Sequence, residues 1–215
     1  MDENLKEILD ALSECDFDDL DTENYYDKIL FFFKQKYKKI FSYDAGASKL
    51  ALIFRDFHYV IKIPFSGNYS EDDYEYGDFY NAGPWGSWDY CEAEENIYQE
   101  AKKYGIEACF AKTEKITTIN KYPIYKQEYV KVYDYGVSSC HTKQDEEKVS
   151  SFCHKEDFYA CERNWLADVL AYFGEQIFNK LIFFIRDNDI NDLHNGNIGY
   201  IGTRPVLMDY SGWND

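Results

Sequence analysis

The stretch INDLHNGNIGYIGTRPVLMDYSG, residues 190–212, decides the fold that we predict for this chain. A polar loop with Asp192 and Asn197 comes first, and two short apolar runs follow, separated by a turn at residues 203–205. This order predicts a loop, a strand, a tight turn and a second strand ending near Asp209. Because antiparallel strands joined by a turn bring their outer ends together, the three polar residues are expected to meet. Two carboxylates and an amide oxygen at one point form a site for a hard cation such as magnesium.

This pattern resembles the catalytic core of the protein-kinase-like superfamily, most closely its aminoglycoside and choline phosphotransferase branch. There Asp-x-x-x-x-Asn is the catalytic loop and Asp-Phe-Gly or a relative supplies a metal-binding aspartate; here DLHNGN and DYSG take those places. The resemblance implies that Asp192 accepts the proton of the attacking hydroxyl. It also implies that Asn197 and Asp209 hold magnesium against the phosphates of ATP. The alternative is that these residues form only a polar hairpin loop and a turn.

Residues 40–65 have the periodicity of three strands, the order in which a kinase N-lobe begins. The first two strands are joined by a turn at Gly46. The resemblance implies that Gly46, Ala47 and Ser48 take the place of the glycine-rich loop over the phosphates. This loop departs from the family pattern because it has one glycine flanked by small residues.

Lys62, in the third strand (VIKIP), matches the lysine that contacts the α and β phosphates in the superfamily. Its neighbours Val60, Ile61 and Ile63 are apolar, which is typical of a strand buried on both faces. A buried ammonium without a partner is costly, so we favour a functional role for Lys62. The alternative is a strand lysine that faces solvent.

The segment CEAEENIYQEAKKYG predicts a helix that ends at Gly105. The resemblance implies that this helix carries the glutamate that pairs with Lys62. Glu94 fits best, with Glu92 and Glu95 as competitors. The alternative is that this run of glutamates is a solvated helix face.

Residues 110–130 predict two further strands around a turn at residues 120–122, which completes a five-stranded antiparallel sheet. The segment from Glu128 to Tyr133 takes the place of the family's hinge. The resemblance implies that backbone groups there, such as those of Glu128 and Val130, bind adenine.

The polar residues 134–161 contain two Cys-His dipeptides, at 140–141 and 153–154, and Cys161. Their spacing matches none of the usual paired zinc ligands, so free thiols and surface histidines are expected. Residues 162–186 have one apolar stripe and predict a single long helix.

The predicted fold class is therefore α+β: a two-lobed, protein-kinase-like fold with a five-stranded antiparallel N-lobe sheet and a small, mostly helical C-lobe. Residues 1–38 form an N-terminal helical extension, residues 39–133 the N-lobe and residues 134–215 a truncated C-lobe. An acidic, aromatic insertion at residues 66–90 interrupts the N-lobe. The sequence ends three residues after Gly212, so the part of the site that binds the acceptor is expected to be missing or to come from the N-terminal helices, residues 66–90 or a second chain.

Composition excludes some classes of function. A net charge of −17 argues against nucleic-acid binding through phosphates and requires that ATP arrive with magnesium. The acidic, amphipathic start is unlike a signal peptide, and no apolar run is long enough to span a bilayer, so a cytoplasmic protein without membrane segments is expected.

The predicted function is that of a minimal, atypical kinase, which binds ATP and magnesium and transfers phosphate to an unidentified hydroxyl acceptor. The alternative is a catalytically inactive, pseudokinase-like binding module. One form of this alternative is an acidic inhibitor that mimics nucleic acid. It would act on a protein partner through its acidic, aromatic surface.

Overall fold

The computed structural model of the chain describes residues 2–15, 17, 25–45, 49–64, 90–120, 122–134, 140–156, 158, 162–190 and 193–210. These residues form an α+β protein with six α-helices and two antiparallel sheets. They divide into two compact units. Unit 1 comprises Met1–Ala93 and Thr113–Tyr129, and unit 2 comprises Glu94–Lys112 and Val130–Asp215.

Unit 1 contains the predicted five-stranded antiparallel sheet, which is confirmed, with the order β1-β2-β3-β5-β4. Its strands are β1 (Ser42–Ala45), β2 (Lys49–Phe54), β3 (Tyr59–Pro64), β4 (Thr113–Ile119) and β5 (Tyr122–Glu128). Asn120 has a φ of 48° in the turn between β4 and β5, a conformation that asparagine tolerates better than most residues. All six residues of β3 are buried, as the apolar neighbours of Lys62 predict.

Two helices, α1 (Glu3–Ser13) and α2 (Tyr25–Lys36), complete unit 1 and confirm the predicted N-terminal helices. Their apolar faces and one face of the sheet share a hydrophobic core. This core includes Leu5, Ile8, Leu12, Ile29, Phe33, Leu50, Leu52, Phe54, Ile61 and Ile63. The helical extension predicted at residues 1–38 therefore packs as part of unit 1.

Unit 2 consists of four helices, a 3-10 turn at Glu107–Cys109 and a three-stranded sheet with the order β6-β7-β8. The helices are α3 (Tyr90–Tyr104, of which Glu94–Tyr104 belong to this unit), α4 (Lys143–Glu156), α5 (Arg163–Phe173) and α6 (Glu175–Asp187). The strands are β6 (Lys131–Val132), β7 (Ile198–Ile201) and β8 (Arg204–Leu207). Helix α3 ends as predicted, because Gly105 has a φ of 68° and the N–H of Ile106 reaches back to the carbonyl of Ala101.

One prediction in unit 2 is wrong. The single helix expected at residues 162–186 is two helices, because Gly174 has a φ of 81° and a ψ of 168° and ends α5. The polar segment 134–161 contains helix α4, whose buried side is narrow and holds only Val149 and Cys153. The insertion predicted at residues 66–90 lies outside the described residues, except Tyr90, which begins α3.

Within the described ranges, no helix combines the length and the apolar character that a membrane crossing requires. The described cysteines are all free thiols, namely Cys15, Cys91, Cys109, Cys140 and Cys153.

We expect Gly174→Ala to destabilise the protein by about 1–3 kcal/mol, because its φ and ψ are accessible almost only to glycine. A Cβ at this position has no atom within 4 Å, so the cost would come from the backbone and not from a clash. Urea unfolding followed by circular dichroism measures the change.

Gly105→Asn is the matched control, because Gly105 also has open space around it but adopts the left-handed conformation that asparagine tolerates. An equal loss of stability in the two variants would contradict the explanation given for Gly174.

Candidate functional site

The base of the β7–β8 hairpin brings the backbones of Asn197 and Asp209 together. The two strands pair in register, with Ile198 opposite Leu207. The carbonyl of Asn197 accepts hydrogen bonds from the N–H of Met208 at 2.9 Å and from the N–H of Asp209 at 3.5 Å. The two predicted strands and their pairing are confirmed, but the turn lies at residues 202–203 and not at 203–205, because Arg204 already pairs with Ile201 in β8. The backbones of Asn197 and Asp209 approach each other as expected. Asp192 lies outside the described residues, so its place beside them stays a prediction.

The loop before Asn197 is shaped by its own residues. The Nδ1 atom of His194 accepts the N–H of Gly196 at 2.9 Å, and the carbonyl of His194 accepts the N–H of Asn197 at 2.9 Å. A Cβ at Gly196 would lie 2.6 Å from Cε1 of the His194 ring, so the ring fits against the backbone only because residue 196 is glycine. This turn fixes the direction in which the chain enters β7.

Asp209 is held between two anchored residues. On one side, the carbonyl of Leu207 accepts the N–H of Ala111 at 2.7 Å. On the other, the hydroxyl of Tyr210 donates to the carbonyl of Ala111 at 2.7 Å, and its ring meets Phe110 edge to face at 5.0 Å. Both hydrogen bonds are buried or close to the core, so the backbone at Asp209 has little freedom to move away from Asn197.

Strand β7 packs closely against β6 at Gly199. A Cβ there would lie 2.2 Å from the carbonyl oxygen of Lys131 in β6. This distance is too short for any residue other than glycine. The indole N–H of Trp165, on α5, donates to the carbonyl of Gly199 at 3.3 Å. Helix α5 and β6 therefore set the position of the strand that follows Asn197.

The buried carboxylate of Asp168, also on α5, is a second attachment for β7. Its Oδ2 accepts the hydroxyl of Tyr200 at 2.5 Å. Its Oδ1 accepts the N–H of Cys140 at 2.7 Å and that of His141 at 3.0 Å, and it contacts Nδ1 of His141 at 2.9 Å. The other ring nitrogen of His141, Nε2, contacts Glu146 at 2.9 Å. We call these residues, with Asp168 at the centre, the Asp168 network.

The Asp168 network corrects one expectation from the sequence. His141 is not a surface histidine, because its side chain is only 5% exposed. The described part of the chain has no group of three or more His, Cys, Asp or Glu side chains that could hold a metal. A lone aspartate within the apolar helix α5 was the sequence signal for this network, and it was missed.

The network shifts the pKa values of both ionisable partners. Burial alone would lower the pKa of His141, but its hydrogen bonds to Asp168 and Glu146 raise that pKa above its ordinary value. Burial alone would raise the pKa of Asp168, but hydrogen bonds from Tyr200, Cys140 and His141 lower it. The geometry therefore favours an imidazolium beside a carboxylate. Burial and the contact with Asp168 also raise the pKa of the Cys140 thiol to about 11, so this cysteine is no activated nucleophile.

In unit 1, Lys62 lies on β3 with a relative exposure of 5%. The alternative of a solvent-facing lysine is therefore wrong. Lys62 pairs with Ala51 of β2 and Tyr125 of β5, and these three residues share one face of the sheet. This is the face opposite the one covered by α1 and α2, because the flanking Ile61 and Ile63 belong to the core with those helices.

Of the three candidate glutamates on α3, the structure buries one. Glu94 has no exposed surface, whereas Glu92 is exposed and Glu95 is partly exposed. A carboxylate is rarely buried without a partner, so burial singles out Glu94. Its pairing with Lys62 stays a prediction, as Lys62 belongs to unit 1 and Glu94 to unit 2.

The two predicted adenine-binding residues belong to different units, Glu128 to unit 1 and Val130 to unit 2. Glu128 is the last residue of β5 and is partly buried, while Val130 is buried in a small cluster with Ala111 and Val206. The division falls between Tyr129 and Val130. Gly46, Ala47 and Ser48 lie outside the described residues.

The oxygen atoms at the hairpin base suit a hard cation. Asn197 supplies an amide oxygen and Asp209 a carboxylate, which are the donor types that magnesium and calcium bind. Both side chains are partly buried, which leaves part of their surface accessible.

No protein-family model matches this chain, and no curated protein is significantly similar to it in sequence.

The Asp168 network makes a prediction about pH. His141 stabilises the fold while it is protonated, so its contribution is complete below the ordinary histidine pKa of about 6.5 and is lost as pH rises through the raised value in the folded protein. Asp168 acts at the other end of the scale, because its contribution is lost as pH falls through its lowered pKa. We expect NMR titration of the His141 ring to show a pKa above the ordinary value.

In His141→Gln, the free energy of unfolding should no longer fall as pH rises through the His141 pKa. The loss of stability relative to the unmodified protein should therefore be largest at acid to neutral pH and smaller at alkaline pH. Asp168→Asn should bring the pKa of His141 down. A normal His141 pKa, or a difference in stability that grows with pH, would contradict the network as described.

Proposed function

We propose that this protein binds a nucleoside triphosphate with magnesium and transfers its terminal phosphate to a hydroxyl group, as a minimal kinase with a two-lobed, protein-kinase-like fold. The observation that carries the proposal is the hydrogen-bonded approach of Asn197 and Asp209 at the base of the β7–β8 hairpin. The side chains at these two positions, an amide and a carboxylate, carry the oxygen types that suit a magnesium ion which also binds phosphate oxygens.

Lys62 supports the same proposal from unit 1. It is buried on a strand, which matches the position of the phosphate-contacting lysine that the resemblance implies. Contact with the phosphates is therefore the role proposed for this lysine.

The proposed chemistry needs little more than positioning and neutralisation of charge. The acceptor hydroxyl attacks the terminal phosphorus, the bond from that phosphorus to the bridging oxygen breaks, and the nucleoside diphosphate leaves. Asp192 takes the hydroxyl proton in this scheme. Asn197 and Asp209 would hold the magnesium, which supplies neutralisation of the phosphate charge.

Glu94 is proposed to orient Lys62, and Glu128 and Val130 to present backbone groups to the adenine. Gly46, Ala47 and Ser48 are proposed to lie over the phosphates. The acceptor hydroxyl is unidentified.

We expect Asp209→Ala to lower the magnesium-dependent affinity for ATP at least ~10-fold, since even the outer-shell partners of a bound metal are worth about 10–100-fold in metal affinity. Isothermal titration calorimetry with and without magnesium measures this. Asp187→Ala is the matched control, because it removes an exposed carboxylate of α6 and changes the net charge by the same amount.

Equal ATP affinity in the two variants would exclude Asp209 as a metal ligand. A separate variant, Asp192→Ala, should retain ATP binding and lose transfer of labelled phosphate in a screen of hydroxyl acceptors. ATP binding by the unmodified chain without transfer to any acceptor would favour the inactive binding module instead.

A further inference from the structure

A second buried lysine lies on the same face of the unit 1 sheet as Lys62. Lys49 is the first residue of β2 and has a relative exposure of 8%. It pairs with Pro64, and Ala51 pairs with Lys62 in the same ladder. Since residues two apart on a strand share a face, Lys49 and Lys62 are diagonal neighbours on adjacent strands.

This face has the opposite sign of charge from the whole chain. Among the charged residues of the described strands β1 to β5, the register places Lys49, Lys62 and Lys115 on it with a single carboxylate, that of Asp44. The other face, which packs on α1 and α2, receives Lys126 with the two carboxylates of Glu114 and Glu128. Three of the four lysines in these strands therefore lie on one face of the sheet, in a protein whose net charge is −17.

The spacing of the two buried lysines suits a chain of phosphates better than a single phosphate. Diagonal neighbours across a strand pair have their Cα atoms roughly 7–8 Å apart. Their ammonium groups can therefore reach different phosphates of one ligand, and each acts as a point charge with several donors. A monophosphate offers only one anionic group to the pair.

We propose that Lys49 and Lys62 together form a two-point site for the polyphosphate chain of a nucleoside triphosphate. The site rests on the proposed function, which it deepens, because it assigns to Lys49 a contact that the resemblance does not imply. Lys49 would discriminate triphosphate and diphosphate ligands from monophosphates.

The test compares Lys49→Met with Lys126→Met. The control removes the same charge from the neighbouring part of the sheet, but Lys126 pairs with Ile61 and so points to the opposite face. Calorimetry would measure binding of ATP, ADP, AMP and inorganic tripolyphosphate, each with magnesium.

In Lys49→Met we expect the affinities for ATP, ADP and tripolyphosphate to fall by ~10-fold or more, the size of a lost charge-assisted hydrogen bond, with AMP little changed. Lys126→Met should bind all four ligands like the unmodified protein. Lys49→Arg should recover most of the affinity for these ligands, because it keeps the positive charge. If Lys49 had a purely structural role, ligand affinity would not depend on that charge. If the methionine variant does not fold, Lys49→Gln replaces it.

Normal ATP binding by Lys49→Met would overturn the two-point site and leave the proposed function intact. If the unmodified chain does not bind ATP but does bind tripolyphosphate through Lys49, the polyanion site stands and the kinase function fails. Binding of neither ligand by the unmodified chain would overturn both.

Discussion

The carboxylate of Asp168 is the interaction on which the architecture of unit 2 depends. Taking a carboxylate out of water costs several kcal/mol, so it is tolerated only where hydrogen bonds and a cation replace the water. Here it accepts bonds from Tyr200, from the backbone of Cys140 and from both the backbone and the ring of His141. One side chain on α5 thereby connects the start of the segment that leads into α4 to strand β7.

Strand β7 in turn determines where Asn197 lies. Trp165 and Asp168, three residues apart on α5, bond to Gly199 and Tyr200, while β6 approaches so closely that residue 199 must be glycine. The strand therefore cannot slide along the helix or twist away from it. Its partner β8 is fixed by register and by the bonds that Ala111 makes, so the ends of the hairpin meet at one place. The position of the Asn197 backbone beside that of Asp209 therefore follows from core packing.

Much of this arrangement could be predicted from the sequence, because it depends on local periodicity. The apolar residues on both sides of Lys62 predicted a buried strand. Two apolar runs separated by a turn predicted the hairpin, although the turn begins one residue earlier than predicted. The break at Gly174 was missed because the apolar stripe continues in phase on both sides of it. The Asp168 network was missed because the residues that bond to Asp168 lie 27 to 32 residues from it, and no local pattern indicates that distant polar groups will meet in the core. Register also gave what the sequence alone did not: it places Lys49 beside Lys62.

The charge of the chain and the charge of its sheet lead to different expectations for a polyanionic ligand. A net charge of −17 repels such a ligand at long range. At physiological ionic strength, however, charges more than about 8 Å away are largely screened when they are exposed to solvent. Inside that distance, the ammonium groups of Lys49 and Lys62 are buried and so are screened much less. Among the charged residues of the described strands, that face carries three lysines and Asp44, so a polyanion bound there would meet mainly positive charge. For the proposed nucleotide ligand, the acidic surface would then mainly lower the rate of arrival. A magnesium complex of that nucleotide carries less negative charge and would be repelled less than the free nucleotide.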